Sequence, residues 1–222
     1  MTEFWKSPKY QMLSTAEISD ALDFLGLPGS AHGLSRVSGT ARIMGPAFTV
    51  RFAPVDHQQP GTVGDFIDDV AAGQVIVLDN GARTDCTVWG GILSQIAATK
   101  GIAGTVINGV CRDTEEAVAC DYPLFSRGAF MRTGKDRVQV ESINTSVSLG
   151  DVRVNAGDLV VGDRDGVVAI PANKAQQVLE HALKIHEAEN AIIQRVQAGS
   201  TLKQAREKLS YHTLQRSEGT HQ

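Results

Sequence analysis

The chain has 222 residues, 42% hydrophobic and 21% charged, the make-up of a folded globular domain rather than a disordered or fibrous chain. Its formal net charge of −4 argues against the basic stripe that a nucleic-acid surface needs. No apolar run reaches the roughly 18 residues of a membrane span, and the opening Met1-Thr2-Glu3-Phe4-Trp5-Lys6-Ser7-Pro8 lacks a signal-peptide core. The expectation is one cytoplasmic domain, 1–222, with no nucleic-acid and no membrane partner.

Ser14 and Glu17 stand in capping-box spacing and start a helix. Its apolar face is Ile18, Ala21, Leu22 and Leu25, and Gly26 ends it. Gly45–Phe52 alternates as a strand does, and 65–72 reads as a short helix closed by Gly73. Gln74–Asp79 and Ala103–Asn108 are nearly continuous apolar runs of strand length, as expected of strands buried on both faces. Between them Trp89–Lys100 reads as a helix with Ile92, Leu93, Ile96 and Ala97 available for packing; Thr114–Ala119 is a second helix and Pro123–Ser126 a third strand. This alternation implies right-handed crossovers and a largely parallel α/β arrangement. Short segments follow at 138–140, 147–154, 159–161 and 167–170, broken by Gly150-Asp151, Gly157-Asp158 and Asp165-Gly166, and read as antiparallel strands and turns. A long helix is predicted over Ala172–Ala198, stopped by Gly199, and the polar tail after Ser210 is expected to fray.

Two stretches carry the chemistry. Gly90-Gly91-Ile92-Leu93 opens a helix whose free N–H groups can hold a carboxylate or phosphate, although two glycines also suit a plain tight loop under Trp89. Arg112-Asp113-Thr114-Glu115-Glu116 follows a buried strand. Asp113 and Glu116 have capping-box spacing and need no further explanation. Arg112 does, because a cation near the positive end of a helix is unfavourable without an anion beside it, and its planar fork matches a carboxylate. Asp113 also suits magnesium, which takes few carboxylates and completes its shell with water and substrate oxygens.

None of the lysines lies within an apolar strand that would depress its pKa for imine chemistry. Nucleophile-elbow, Walker and Rossmann patterns are absent. Cys86, Cys111 and Cys120 are too few and too scattered for a disulfide scaffold or a cysteine zinc site, and read as reduced thiols. Cys111, next to Arg112, is the one expected to be sensitive to oxidation. His181 and His186 are five apart on a helix, a poor spacing for a shared metal, and read as solvated.

Gly91, twenty residues, then Arg112-Asp113-x-x-Glu116 resembles the signature of the 4-hydroxy-4-methyl-2-oxoglutarate / 4-carboxy-4-hydroxy-2-oxoadipate aldolases and the regulator of ribonuclease activity A-like (RraA-like) proteins grouped with them. Ser19–Leu22, Gly45–Val50, Trp89–Gly91 and Gly157–Val168 extend the resemblance over most of the chain. The resemblance implies a three-layer β/β/α, swivelling-domain-like fold with a long C-terminal helix, assembled as a homotrimer or homohexamer with active sites between subunits. It implies pyruvate held at Gly90, Gly91, Ile92 and Leu93 and by Arg112, with Asp113 holding Mg2+, Mn2+ or another divalent cation. Glu116 would orient Arg112 or a water, and a glutamate of a neighbouring C-terminal helix, Glu189 or the nearby Glu187, would complete the site.

The implied activity is cleavage of a 4-hydroxy-2-oxo acid to pyruvate and a second oxo acid, with oxaloacetate decarboxylation on the side. Alternatives on the same scaffold are a non-catalytic regulator binding a ribonuclease, or a lyase for another hydroxy or oxo acid. The chain departs from the family at Asn108-Gly109, where Asp-Gly is usual, and over 132–148, a stretch placed to shape the substrate pocket.

Overall fold

The computed structural model describes residues 3–209 and 211. In chain order its first elements are α1 (Pro8–Gln11), α2 (Thr15–Phe24), β1 (Ser30–Ala31), β2 (Ser35–Ser38), β3 (Ile43–Pro54) and β4 (Val75–Thr87). Next come α3 (Gly91–Thr99), β5 (Gly104–Val110), α4 (Thr114–Ala119), β6 (Leu124–Ser126), β7 (Val138–Ile143) and β8 (Val147–Leu149). The last are β9 (Val152–Val154), β10 (Leu159–Gly162), β11 (Val167–Ile170), α5 (Ala175–Gln197) and α6 (Leu202–Lys208). The described residues fall into two compact units, one of residues 30–172 and a helical one of residues 3–29 with 173–209 and 211.

The 30–172 unit is a curled mixed sheet in the order β1-β11-β10-β3-β4-β5-β6-β2, with β7 also on β3. The long strand β3 is the pivot. Its Ile43–Pro46 end pairs antiparallel with β10, Ala47–Arg51 runs parallel to β4, and Val50–Pro54 pairs antiparallel with β7. Strands β3, β4, β5 and β6 form the expected parallel core.

Side-chain alternation explains why these strands are apolar throughout. On β4, Ile76 and Leu78 enter a cluster with Phe48, Trp89, Ala97 and Ala117, under α3 and α4. Val75 and Val77 point the other way, into a cluster with Leu149, Val154, Val160 and Val167. A strand covered on both faces needs apolar residues at every position, and the result is the expected helix, sheet and second β layer.

Three details differ from the sequence expectation. The helix expected over 65–72 is a short 3₁₀ turn, Asp65–Asp69. Strand β4 runs on to Thr87 through register shifts near Gly81 (φ 61) and Ala82 (φ 57), where the backbone turns left-handed. The short strands β1 and β2 and the helices α1 and α6 were not anticipated.

In the helical unit the Ser14–Glu17 capping box is formed, and α2 packs along α5. Gly199, at φ 99, follows the end of α5. The histidines of α5 are not solvated as expected. His186 Nδ1 lies 2.7 Å from a Glu17 oxygen and its Nε2 2.8 Å from Asn190 Nδ2. His181 stacks on Phe24 with ring centroids 4.0 Å apart. Apart from Tyr211, the tail expected to fray lies outside the described residues.

Candidate active site

The parallel strands β4 and β5 lead into adjacent loops, the position where open parallel sheets present ligand sites. The loop after β4 opens α3 at Gly90-Gly91, and the loop after β5 carries Arg112 and Asp113 into α4. They are tied together by the Arg112 N–H, which donates to the Trp89 carbonyl at 3.0 Å. Trp89 is itself fixed. Its indole N–H donates to Ser94 Oγ at 2.9 Å, and its ring stacks on Tyr122 at 5.9 Å.

Asp113 does not cap its own helix. It sits at the N-cap of α4 in the left-handed region (φ 53, ψ 46) and makes no side-chain cap hydrogen bond. Its Oδ2 instead accepts the Gly91 N–H at 3.0 Å, and lies 3.5 Å from Arg112 Nε. The capping-box reading of Asp113 and Glu116 is therefore replaced by a bridge between two helix starts. A carboxylate at the positive end of α3 is favourable, and that bond offsets the 1–2 kcal/mol or so that a left-handed residue costs.

Gly90 is required by this approach, and Gly91 fits it closely. A Cβ on Gly90 would stand 2.6 Å from Asp113 Oδ2, and one on Gly91 3.1 Å from Glu116 Cβ. Gly91 has the Asp113 carboxylate as its acceptor, so the N–H groups of Ile92 and Leu93 are the first-turn donors left for a ligand.

These groups line one cavity of about 420 Å3, whose walls include Gly90, Gly91, Ile92, Leu93, Arg112 and Asp113. Arg112 and Asp113 are part-exposed, with side-chain accessibilities of 40% and 39%. Glu116 is exposed and meets this region only through its stem, beside Gly91. Glu189 belongs to the helical unit, where its carboxylate accepts the Tyr211 hydroxyl at 2.6 Å.

The cavity also takes in Asp65 and Asp68, which sequence reasoning did not select, and Thr133, from the 132–148 stretch expected to shape the pocket. The two aspartates lie on the 3₁₀ turn Asp65–Asp69, in the stretch expected as a helix over 65–72.

Among the described residues no group of three or more His, Cys, Asp or Glu side chains is placed to hold a metal ion. A divalent cation at Asp113 would rely on one carboxylate, waters and ligand oxygens, a mode that magnesium accepts and zinc does not. Cys111 departs from the expectation of an oxidation-prone thiol: it is fully buried, and burial pushes its pKa up, away from the reactive thiolate.

With this geometry in hand, likeness to known proteins becomes informative. The model of the RraA-like family, described as Aldolase/RraA, matches residues 15–169. Protein DlpA of Legionella pneumophila is 38% identical over 202 residues, which are 89% of this chain and 32% of that protein. This chain thus spans about a third of DlpA. A Halalkalibacterium halodurans protein named "Putative 4-hydroxy-4-methyl-2-oxoglutarate aldolase" is 35% identical over 79% of this chain and 81% of its own length. An uncharacterized protein of Pseudomonas syringae pv. tomato has a crystal structure that superposes with a TM-score of 0.85. It is 41% identical and covers 90% of this chain and 92% of that one.

Proposed function

The chain belongs to the RraA-like family, and on that premise we propose that it is a lyase, a divalent-metal-dependent aldolase that releases pyruvate from a 4-hydroxy-2-oxo acid. The observation that carries the reading is the convergence of Arg112, Asp113 and the first turn of α3 on one cavity. A purely regulatory scaffold has no need of that arrangement.

In this reading the free N–H groups of Ile92 and Leu93 and the Arg112 guanidinium hold the substrate carboxylate. Asp113, fixed by the Gly91 N–H, holds Mg2+ or another divalent cation, which when bound supplies positive charge to the 2-oxo acid end of the substrate. A carboxylate base takes the proton of the C4 hydroxyl; Glu189 from a neighbouring copy, in a homotrimer or homohexamer, is the candidate. The C3–C4 bond then breaks, its electron pair passing to C3 as the pyruvate enolate while C4 becomes the carbonyl of the second product. Arg112 stabilises the charge that develops on the enolate oxygen, and protonation at C3 completes pyruvate. Oxaloacetate decarboxylation passes through the same enolate and is the expected side activity.

The test is pyruvate release from 4-hydroxy-2-oxo acids and oxaloacetate, coupled to lactate dehydrogenase. Release should stop on addition of a chelator and return with Mg2+. Arg112→Ala should lower turnover by at least about a hundredfold, the usual effect of removing a group that stabilises developing charge, with an unchanged circular dichroism spectrum. Near-normal turnover in that variant would overturn the assignment.

A further inference from the structure

We infer that the Tyr211 hydroxyl is a positioning group for Glu189, holding one oxygen of that carboxylate so that the other is presented to the active site of a neighbouring copy. The inference rests on the aldolase reading, in which Glu189 is the candidate base. It starts from one contact: Glu189 Oε1 accepts the Tyr211 hydroxyl at 2.6 Å.

The local fold explains how a tyrosine 22 residues further on reaches that carboxylate. Helix α5 ends at Gln197, and Gly199 follows in the left-handed region, at φ 99. The Thr201–Gln204 capping box then starts α6, which packs on α5. Beyond α6 the Tyr211 ring joins Ile192 and Ala205 in a small apolar cluster. The Arg206 guanidinium lies over the same ring, 5.8 Å from its centroid. A ring held in this way fixes where its hydroxyl stands. Burial, and after it the Glu189 carboxylate, push the hydroxyl up to about 12, so it remains a donor at any pH at which turnover is measured.

A glutamate on a helix surface samples several rotamers, and a base works only from one that reaches the proton it takes. A third group that orients the base removes that uncertainty. Glu189 has such a group. Glu187 is exposed on the same helix and makes no hydrogen bond or ion pair among the described residues, which favours Glu189 as the glutamate that enters the neighbouring site. Among the described residues Glu189 Oε2 has no hydrogen-bond partner, so fixing Oε1 leaves Oε2 for the substrate hydroxyl.

The two expected reactions differ in their need for this base. Cleavage of a 4-hydroxy-2-oxo acid begins with removal of the C4 hydroxyl proton. Oxaloacetate loses CO2 from its own carboxylate and reaches the same enolate with no hydroxyl proton to give up. A group that positions the base therefore acts on cleavage alone, whereas a group needed for folding or assembly acts on both reactions.

The experiment uses Tyr211→Phe in the full chain with excess Mg2+, a change that keeps the ring and removes only the hydroxyl. The kcat for cleavage of 4-hydroxy-2-oxoglutarate or 4-hydroxy-4-methyl-2-oxoglutarate should fall at least about tenfold. Both KM and the rate of oxaloacetate decarboxylation should stay within about twofold. Glu189→Gln should slow cleavage about a hundredfold or more, and adding Tyr211→Phe to it should slow cleavage no further, because the hydroxyl acts through that carboxylate. Cleavage by Tyr211→Phe within about twofold of the unsubstituted chain, an equal fall in both reactions, or additive losses in the double variant would each overturn the inference and leave the aldolase reading standing. An unsubstituted chain that cleaves neither 4-hydroxy-2-oxo acid would overturn the aldolase reading, and the inference with it.

Discussion

Gly90→Ala should separate the site from the fold. The Gly90 backbone, at φ −150 and ψ −171, is ordinary extended chain that alanine adopts without strain. The whole effect must therefore come from the methyl group, which would stand 2.6 Å from Asp113 Oδ2 and 3.3 Å from Arg112 Nε. That oxygen is the end of a short side chain, so it swings away, and its hydrogen bond from the Gly91 N–H goes with it. Hydrogen bonds to charged groups contribute about 1.5–3 kcal/mol when buried. Asp113 is 39% accessible, and discounting for solvent leaves about 1 kcal/mol. For a chain of this size that is a fall in Tm of about 2–4 °C. Turnover should suffer far more, by about a hundredfold, because displacing a charged group by about an ångström is enough to disrupt a reacting geometry. Differential scanning fluorimetry and the coupled pyruvate assay read the two effects. Turnover within about threefold of the unsubstituted chain would refute the argument that Asp113 works from its seat on α3. A fall in Tm well beyond about 10 °C would show Gly90 to be a folding residue instead.

Alkaline titration should set Tyr122 apart even from Tyr211, whose hydroxyl is pushed up to about 12 by burial and by the Glu189 carboxylate. The Tyr122 ring is buried against Trp89, and burial pushes its hydroxyl well above the usual 10.0, even though Thr105 is a hydrogen-bond partner. The folded chain keeps this proton after the unfolded chain has lost it, so stability is intact below pH 10 and declines as pH rises from there towards the folded pKa. Tyrosinate absorbance at 295 nm should show one tyrosine ionising only with unfolding, and Tyr122→Phe should remove that step; a Tyr122 that titrates near pH 10 in the folded chain would count against the packing described. Thiol labelling offers a third check. Cys86 and Cys111 are fully buried and Cys120 is part-exposed, so iodoacetamide on the native protein should mark Cys120 alone, with the other two reacting after denaturation. Peptide mass spectrometry showing native labelling at Cys111 would contradict its burial.

What could be read from the chain and what could not follow from how far each signal reaches. Strands β4 and β5 were legible because burial on both faces leaves no polar position to blur the run. The start of α2 was legible because Ser14 and Glu17 satisfy each other within one turn. Strand β2, Ser35-Arg36-Val37-Ser38, is short and largely polar and borrows its order from β6, so nothing local announces it. Helix α6 did carry a local signal, the Thr201–Gln204 capping box, which the long pattern ending at Gly199 obscured. Glu17 shows the limit plainly: its box was visible, but the histidine it meets is 169 residues away.

Asp113 is the instructive case, because its sequence context was informative and still misled. Asp followed three residues later by Glu is the spacing of a self-contained helix start, and a local reading stops there. In the fold the carboxylate reaches back 22 residues to the Gly91 N–H, which a left-handed Asp113 and two adjacent glycines make possible. The capping pattern left Arg112 unexplained, and the structure gives the reason. With Asp113 seated on α3, the negative charge nearest the guanidinium is already shared with a helix N-terminus, which in the proposed function leaves the guanidinium for an anionic ligand. Residues such as Asp65 and Asp68 could not have been selected by the same reasoning, since their part depends on which wall of the cavity a 3₁₀ turn faces. The motif sets two helix starts side by side; the far wall of the cavity, with Asp65 and Asp68, is assembled only by the fold.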